Sequence, residues 1–157
     1  MALGVEYWYH ITYAKNLKSI GFYGLVKNLK PNWQHGGYDV HSREGIYVTT
    51  PRHISYWIER FQNLAEHNSD DIYKDKLIPI ILRFTLHEKK LTPDQMANLE
   101  DRVYGAKRIP PKRIEMWTGR EWRKGLTLSG LKPSDFLEKN KYGIYFKQTY
   151  PLPPEAG

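Results

Sequence analysis

Three places in the chain gather side chains that could support chemistry, and each also has an ordinary structural explanation. His10 and Thr12 share a face at the end of an alternating stretch, beside Trp8. There an imidazole and a hydroxyl either sit hydrogen-bonded in the core or face a pocket built by the turn that follows. Tyr47, within Gly45-Ile46-Tyr47-Val48-Thr49, taken alone is an ordinary strand aromatic. Glu100 and Asp101 stand just ahead of Val103-Tyr104, where a carboxylate pair is either a solvated edge or a functional acid. His35, Asp39, His41 and His53 can be assembled into a metal site on paper. Their spacings match no metal-ligand pattern, so no metal is expected. Neither GxGxxG nor a Walker lysine loop is present, which removes the common nucleotide motifs.

The elements that must position these residues follow from periodicity. Val5–Thr12 alternates as a strand, with Val5, Tyr7, Tyr9 and Ile11 on one face and Trp8, His10 and Thr12 on the other. A short helix opens at Ala14 or Asn16, carries Leu17 and Ile20, and stops at Gly21 or Gly24. Polar residues 27–44 read as a loop, and Gly45–Thr49 as a short strand. Pro51 suits the first turn of the next helix. Arg52–His67 is the clearest helix, its buried stripe formed by Ile54, Trp57, Ile58, Phe61, Leu64 and Ala65. Leu77–Leu86 is a nearly continuous apolar run, as expected of a central strand. A helical turn is expected over Thr92–Leu99 and strands over Arg102–Ala106, Arg113–Trp117 and Tyr142–Thr149. A short helix near Ser134–Glu138 precedes the last of these. No linker divides the chain, so the expectation is one α+β domain over residues 1–150, followed by a frayed proline-rich tail, 151–157.

Composition bounds the function classes. A chain of 157 residues suffices for one sizeable core. No apolar run is long enough to span a membrane, and no signal peptide is visible at the N-terminus. Cysteine is absent, which excludes disulfides and thiolate zinc sites and suits a cytoplasmic protein. The net charge of +7 is uneven: residues 101–157 carry 12 Lys+Arg against 6 Asp+Glu. That basic third would attract an anionic partner such as a nucleic acid or a phosphorylated cofactor, or simply keep the surface solvated.

Taken in order, YHITYAKNLKSIGFYGL, GIYVTTPRHISYWIERF and an acid ahead of a Val-Tyr strand resemble the ADP-ribosyltransferase superfamily. The likeness is to its branch with a His, Tyr and acidic active site, which includes the poly(ADP-ribose) polymerases and small bacterial and phage transferases. It covers roughly residues 5–117. The implied fold is two packed, mostly antiparallel sheets flanked by short helices around an NAD cleft. His10 falls on the family histidine that bonds the adenosine-side ribose, with Thr12 at the adjacent polar position. Tyr47 falls on the tyrosine that stacks against nicotinamide, and Ser55 on the serine that bonds its carboxamide. The polymerase spacing of acid, two residues, then Val-Tyr assigns Glu100 as the catalytic acid, with Asp101 second and Glu115 third. Ile58 stands where the polymerases have a second stacking tyrosine, a place Tyr56 or Trp57 would take only on a rotated helix.

The implied reaction cleaves NAD, a co-substrate here, and moves ADP-ribose to a macromolecular acceptor without a metal. The carboxylate would stabilise the oxocarbenium-like transition state, as in glycoside hydrolysis. Arg43 and Arg52, on either side of the tyrosine strand, are candidates for the pyrophosphate. RNA or DNA is slightly favoured over protein as acceptor, because Trp117, Trp122 and Tyr142 lie among the C-terminal cations. The resemblance leaves open a toxin, a phage effector or a housekeeping role. Two alternatives remain open at this point. One is an RNA 2′-phosphotransferase on the same fold, whose arginine set is not found here. The other is a basic nucleic-acid-binding domain without catalysis.

Overall fold

The computed structural model describes residues 4–27, 45–67, 77–93, 101–132, 135–136, 138–139, 145–146 and 150–156. Strand β1 (Val5–Tyr13) runs antiparallel to β4 (Pro79–His87), and all nine residues of one pair with all nine of the other. This pair is the centre of the molecule. Ile80, Ile81 and Leu82 are completely buried, because the first half of β4 is covered on both faces. That double burial explains why this segment reads as an unbroken apolar run.

Outward from β1 lie β3 (Ile46–Thr49), β6 (Asp101–Tyr104) and β5 (Leu91–Pro93). Outward from β4 lie β8 (Glu115–Trp117) and β9 (Trp122–Arg123), giving seven antiparallel strands. Two ribbons stand apart: β2 (Leu25–Val26) with β7 (Arg108–Ile109), and β10 (Glu138–Lys139) with β11 (Tyr145–Phe146). The fold is therefore α+β with antiparallel sheets. Where two packed sheets were expected, the described residues form one seven-stranded sheet and two two-stranded ribbons, and the halves of the large sheet join through a single residue pair, Tyr9 opposite Thr49.

Two helices flank the sheet. Helix α1 (Leu17–Tyr23) follows a 3₁₀ turn, Ala14–Asn16, and ends at Gly24, whose φ is +84°. Gly24 is demanded twice over. The left-handed backbone disfavours a side chain, and a Cβ there would lie 2.1 Å from the Ile109 carbonyl oxygen. Helix α2 (Ile54–His67) follows a 3₁₀ turn, Pro51–His53, and buries Ile54, Ile58, Phe61 and Ala65, spaced by four, three and four. The Tyr13 hydroxyl donates to the Phe61 carbonyl at 2.8 Å and ties this helix to β1. Two local expectations fail. Thr92 lies in β5, paired with Val103, rather than in a helical turn. Glu138 lies in β10, so the short helix does not extend to it.

The proline-rich end is packed rather than frayed. The Tyr150 hydroxyl donates to the Pro79 carbonyl at 2.6 Å, and the Trp117 indole donates to the Pro151 carbonyl at 2.7 Å. Glu155 accepts from the Tyr9 hydroxyl at 2.8 Å, from Arg83 at 3.1 Å and from the Trp122 indole at 3.2 Å. The Arg83 guanidinium lies between the Tyr7 and Trp122 rings, 4.3 Å from each centroid. Prolines fix the segment's backbone, which lowers the entropy lost when it docks. Trp117 and Trp122 both donate to the tail, and Tyr142 lies outside the described residues.

Partial burial pushes the Glu155 carboxyl up, but the Tyr9 and Trp122 hydrogen bonds and the Arg83 charge outweigh it and hold it below the ordinary 4.5. Its contribution to stability is thus fully present above pH 4.5 and is lost as acid titrates the folded carboxylate. Glu155→Ala is expected to lower unfolding free energy by about 1–2 kcal/mol at neutral pH, and the loss should shrink in acid. Gly24→Ala should be the more damaging of the two. Urea titration of both variants checks the order.

Candidate functional site

The seam between β1 and β3 opens immediately past its one pair. With Tyr9 opposite Thr49, a continued ladder would bring Ile11 opposite Tyr47. Instead the His10 imidazole takes the Tyr47 carbonyl, with Nδ1 donating at 2.7 Å. A carbonyl can only accept, so Nδ1 carries the proton and Nε2 keeps its lone pair. Burial pushes the His10 pKa below 6.5, partly opposed by the Tyr47 carbonyl bond, which keeps the ring neutral at pH 7. The seam thus holds a fixed hydrogen-bond acceptor. One turn further on, Asn16 donates to the Thr12 hydroxyl at 2.9 Å and orients it.

On the far side of β3, Asp101 pairs with Thr49 across the β3–β6 ladder and is 4% exposed. Its Oδ1 accepts three hydrogen bonds: from the Thr49 hydroxyl at 2.6 Å, the Trp57 indole at 3.0 Å and His53 Nδ1 at 3.1 Å. The His53 ring stacks flat on Tyr56, 4.4 Å between centroids. The second carboxylate oxygen, Oδ2, is buried and has no partner among the described residues. The carboxylate is thus anchored through one oxygen, and its other oxygen is enclosed without a hydrogen-bond partner among those residues.

A cavity of about 560 Å³ joins these groups. Small-molecule sites commonly measure about 300–1,000 Å³. Its lining includes every residue of β1 from Tyr9 to Tyr13 and every residue of β3 from Ile46 to Thr49. Successive strand residues point to opposite faces, so a lining that takes both alternations runs through the opened seam rather than along one face. Trp57, Phe61 and Leu64 of α2 and Asp101 of β6 close one side; α1 and β2 close the other. Gly45 makes the approach of β3 to β6 possible, since a Cβ there would lie 2.4 Å from the Val103 side chain.

Of the site residues expected from sequence, His10, Thr12 and Tyr47 all line this cavity, and Asp101 joins them. Glu100 and Arg43 lie outside the described residues, as do His35, Asp39 and His41. Ser55 and Arg52 are exposed and take no part in the lining. For Ser55 the reason is helical phase: Trp57 lines the cavity, and Ser55, two residues earlier, falls about 200° around the helix, while Arg52 sits in the 3₁₀ turn ahead of it. Glu115 is engaged elsewhere, accepting from Arg83 at 3.1 Å. The described residues contain no cluster of metal ligands. Asn16 is a lining residue that the sequence reading did not single out, and Trp57 entered that reading only as a substitute stacking residue on a rotated helix. Trp57 belongs to the apolar stripe by spacing, and only its indole N–H hinted at a need for a buried acceptor. Comparison with protein-family models, curated proteins and solved structures finds no match for this chain.

The depressed His10 pKa makes stability depend on pH with a definite sign. Between the folded pKa and 6.5 the unfolded chain binds more protons, so stability rises with pH there and is full above 6.5. His10→Gln keeps a donor for the Tyr47 carbonyl but does not titrate. Denaturant titrations from pH 5 to 8 should therefore show the wild type losing stability in acid relative to this variant.

Proposed function

We propose that the protein is an NAD-dependent mono-ADP-ribosyltransferase acting on a macromolecular acceptor. The observation that carries this reading is the convergence of His10, Thr12, Tyr47 and Asp101 on one cavity, from three strands far apart in sequence. It adds to the resemblance of their ordered motifs to the His, Tyr and acid branch of that superfamily.

The roles follow from the chemistry of each group. His10 Nε2 accepts a hydrogen bond from a ribose hydroxyl, and the Thr12 hydroxyl, oriented by Asn16, supplies a neighbouring contact. Tyr47 offers its ring face to nicotinamide, worth about 0.5–1.5 kcal/mol beyond burial. The bond between ribose C1′ and the nicotinamide nitrogen breaks with its electron pair going to the ring, which becomes neutral. The positive charge left on the ribose is stabilised by a nearby carboxylate. An acceptor nucleophile then bonds C1′ and gives up its proton.

Sequence spacing assigns that carboxylate to Glu100, whereas the cavity offers Asp101, whose Oδ1 is fixed and whose Oδ2 is uncommitted. Asp101 is the acid in the present proposal. For the pyrophosphate, Lys15 replaces Arg52, because Lys15 is the lining's one Lys or Arg among the described residues.

Asp101→Asn is close to isosteric, retains an oxygen for the three donors and removes the charge. It should still bind NAD by calorimetry while releasing nicotinamide about 10²- to 10³-fold more slowly. Glu100→Gln, assayed in parallel, should retain turnover. Loss confined to Glu100→Gln reassigns the acid. Wild-type protein that neither binds NAD nor releases nicotinamide with protein, RNA or DNA present overturns the proposal.

A further inference from the structure

The wall of the cavity formed by α1 and β2 has an outer surface that the transferase reading leaves unused. Phe22 is 77% exposed and Tyr23 56% exposed, and their rings meet edge to face at 4.7 Å. Large aromatics at such exposure are uncommon without a partner, since each leaves a broad apolar face in water. Lys18 lies one helical turn before Phe22, on the same face of α1. Alongside, the β2–β7 ribbon sets Val26 opposite Arg108, next to Lys107, and all three are exposed.

The surrounding charge is of one sign. Residues 14–27 and 105–113 together carry seven Lys or Arg and no Asp or Glu. These two segments are joined by β2–β7 pairing, so their charges act on one region. Lys15 connects this surface to the interior, since it is exposed and also lines the cavity.

We propose that this surface binds a single-stranded nucleic acid, which makes nucleic acid the acceptor class; the acceptor role rests on the transferase reading above. Unpaired bases stack on Phe22 and Tyr23, and the phosphates run past Lys15, Lys18, Lys107 and Arg108 toward the cavity mouth. Interleaved aromatics and cations suit a single strand, whose bases are free to stack, better than a duplex, whose bases are already stacked. An acidic protein would satisfy the charges but would leave the aromatic pair without a use.

The test uses fluorescence anisotropy with labelled 15-mers of dT and U, a dT–dA duplex, poly-glutamate and anionic phospholipid vesicles. Wild-type protein should bind a single strand with log K falling about 0.7 per log unit of salt for each phosphate contact, roughly 3 in all. Lys18→Glu with Arg108→Glu should weaken binding at least tenfold and flatten that slope. Phe22→Ala should weaken it about tenfold with the slope unchanged, the signature of stacking. All these residues are exposed, and thermal melts confirm that each variant folds. Whichever of dT and U binds tighter identifies the strand as DNA or RNA. Equal or tighter duplex binding, or binding confined to poly-glutamate or vesicles, overturns the proposal. Nicotinamide release is measured separately. NAD turnover without single-strand binding sinks this surface and keeps the transferase; single-strand binding without NAD turnover keeps the surface and sinks the transferase.

Discussion

One hydrogen bond organises the centre of this molecule: His10 to the Tyr47 carbonyl. An antiparallel ladder left open one pair beyond Tyr9 and Thr49 would expose backbone groups inside the protein, each costing roughly 1–3 kcal/mol if unsatisfied. The imidazole satisfies the Tyr47 carbonyl from the side and lets the strands part without that penalty. The same bond fixes the tautomer and turns a structural repair into a directed acceptor. A cavity through a sheet, rather than beside it, is the consequence.

The opening has to be held from outside, because a sheet joined by one pair has little stiffness of its own there. Tyr13 fastens β1 to α2 through Phe61, and Trp57 fastens α2 to Asp101 on β6. Tyr9 fastens the start of the seam to Glu155, and through it to Arg83 and Trp122. Burial, and then the Glu155 carboxylate beside it, push the Tyr9 phenol far above its ordinary value, so it remains a donor. The C-terminal segment therefore acts as a strap behind the site. It braces the face of the sheet that carries Tyr9 and Arg83.

Much of this architecture was legible in the sequence because burial leaves a period. The stripe Ile54, Trp57, Ile58, Phe61, Leu64 and Ala65 announced α2, although Leu64 at its margin is exposed, and the apolar run in β4 announced a strand covered on both faces. His10, Thr12 and Tyr47 could be brought together through ordered motifs. The tail was not legible. Proline removes backbone donors and suggests an unpaired end, whereas here side-chain donors from Tyr150 and Trp117 to backbone carbonyls do the docking. Ser55 lies off the lining because spacing from Tyr47 locates a residue along a helix but not its phase around it, whereas Arg52, chosen as a flank of β3, is exposed in the 3₁₀ turn ahead of α2. Asp101 ranked behind Glu100 because spacing in one strand says nothing about the donors that Thr49, His53 and Trp57 bring from elsewhere.

In the proposed enzyme, the opened seam receives a ribose hydroxyl at His10 Nε2. Nitrogen-15 spectra of histidine-labelled protein, with His10 assigned by its loss in His10→Gln, observe that atom directly. The expected result is an Nδ1-protonated ring at pH 7 whose Nε2 resonance moves on saturation with NAD. A ring protonated on Nε2, or one indifferent to NAD at saturating concentration, would contradict it.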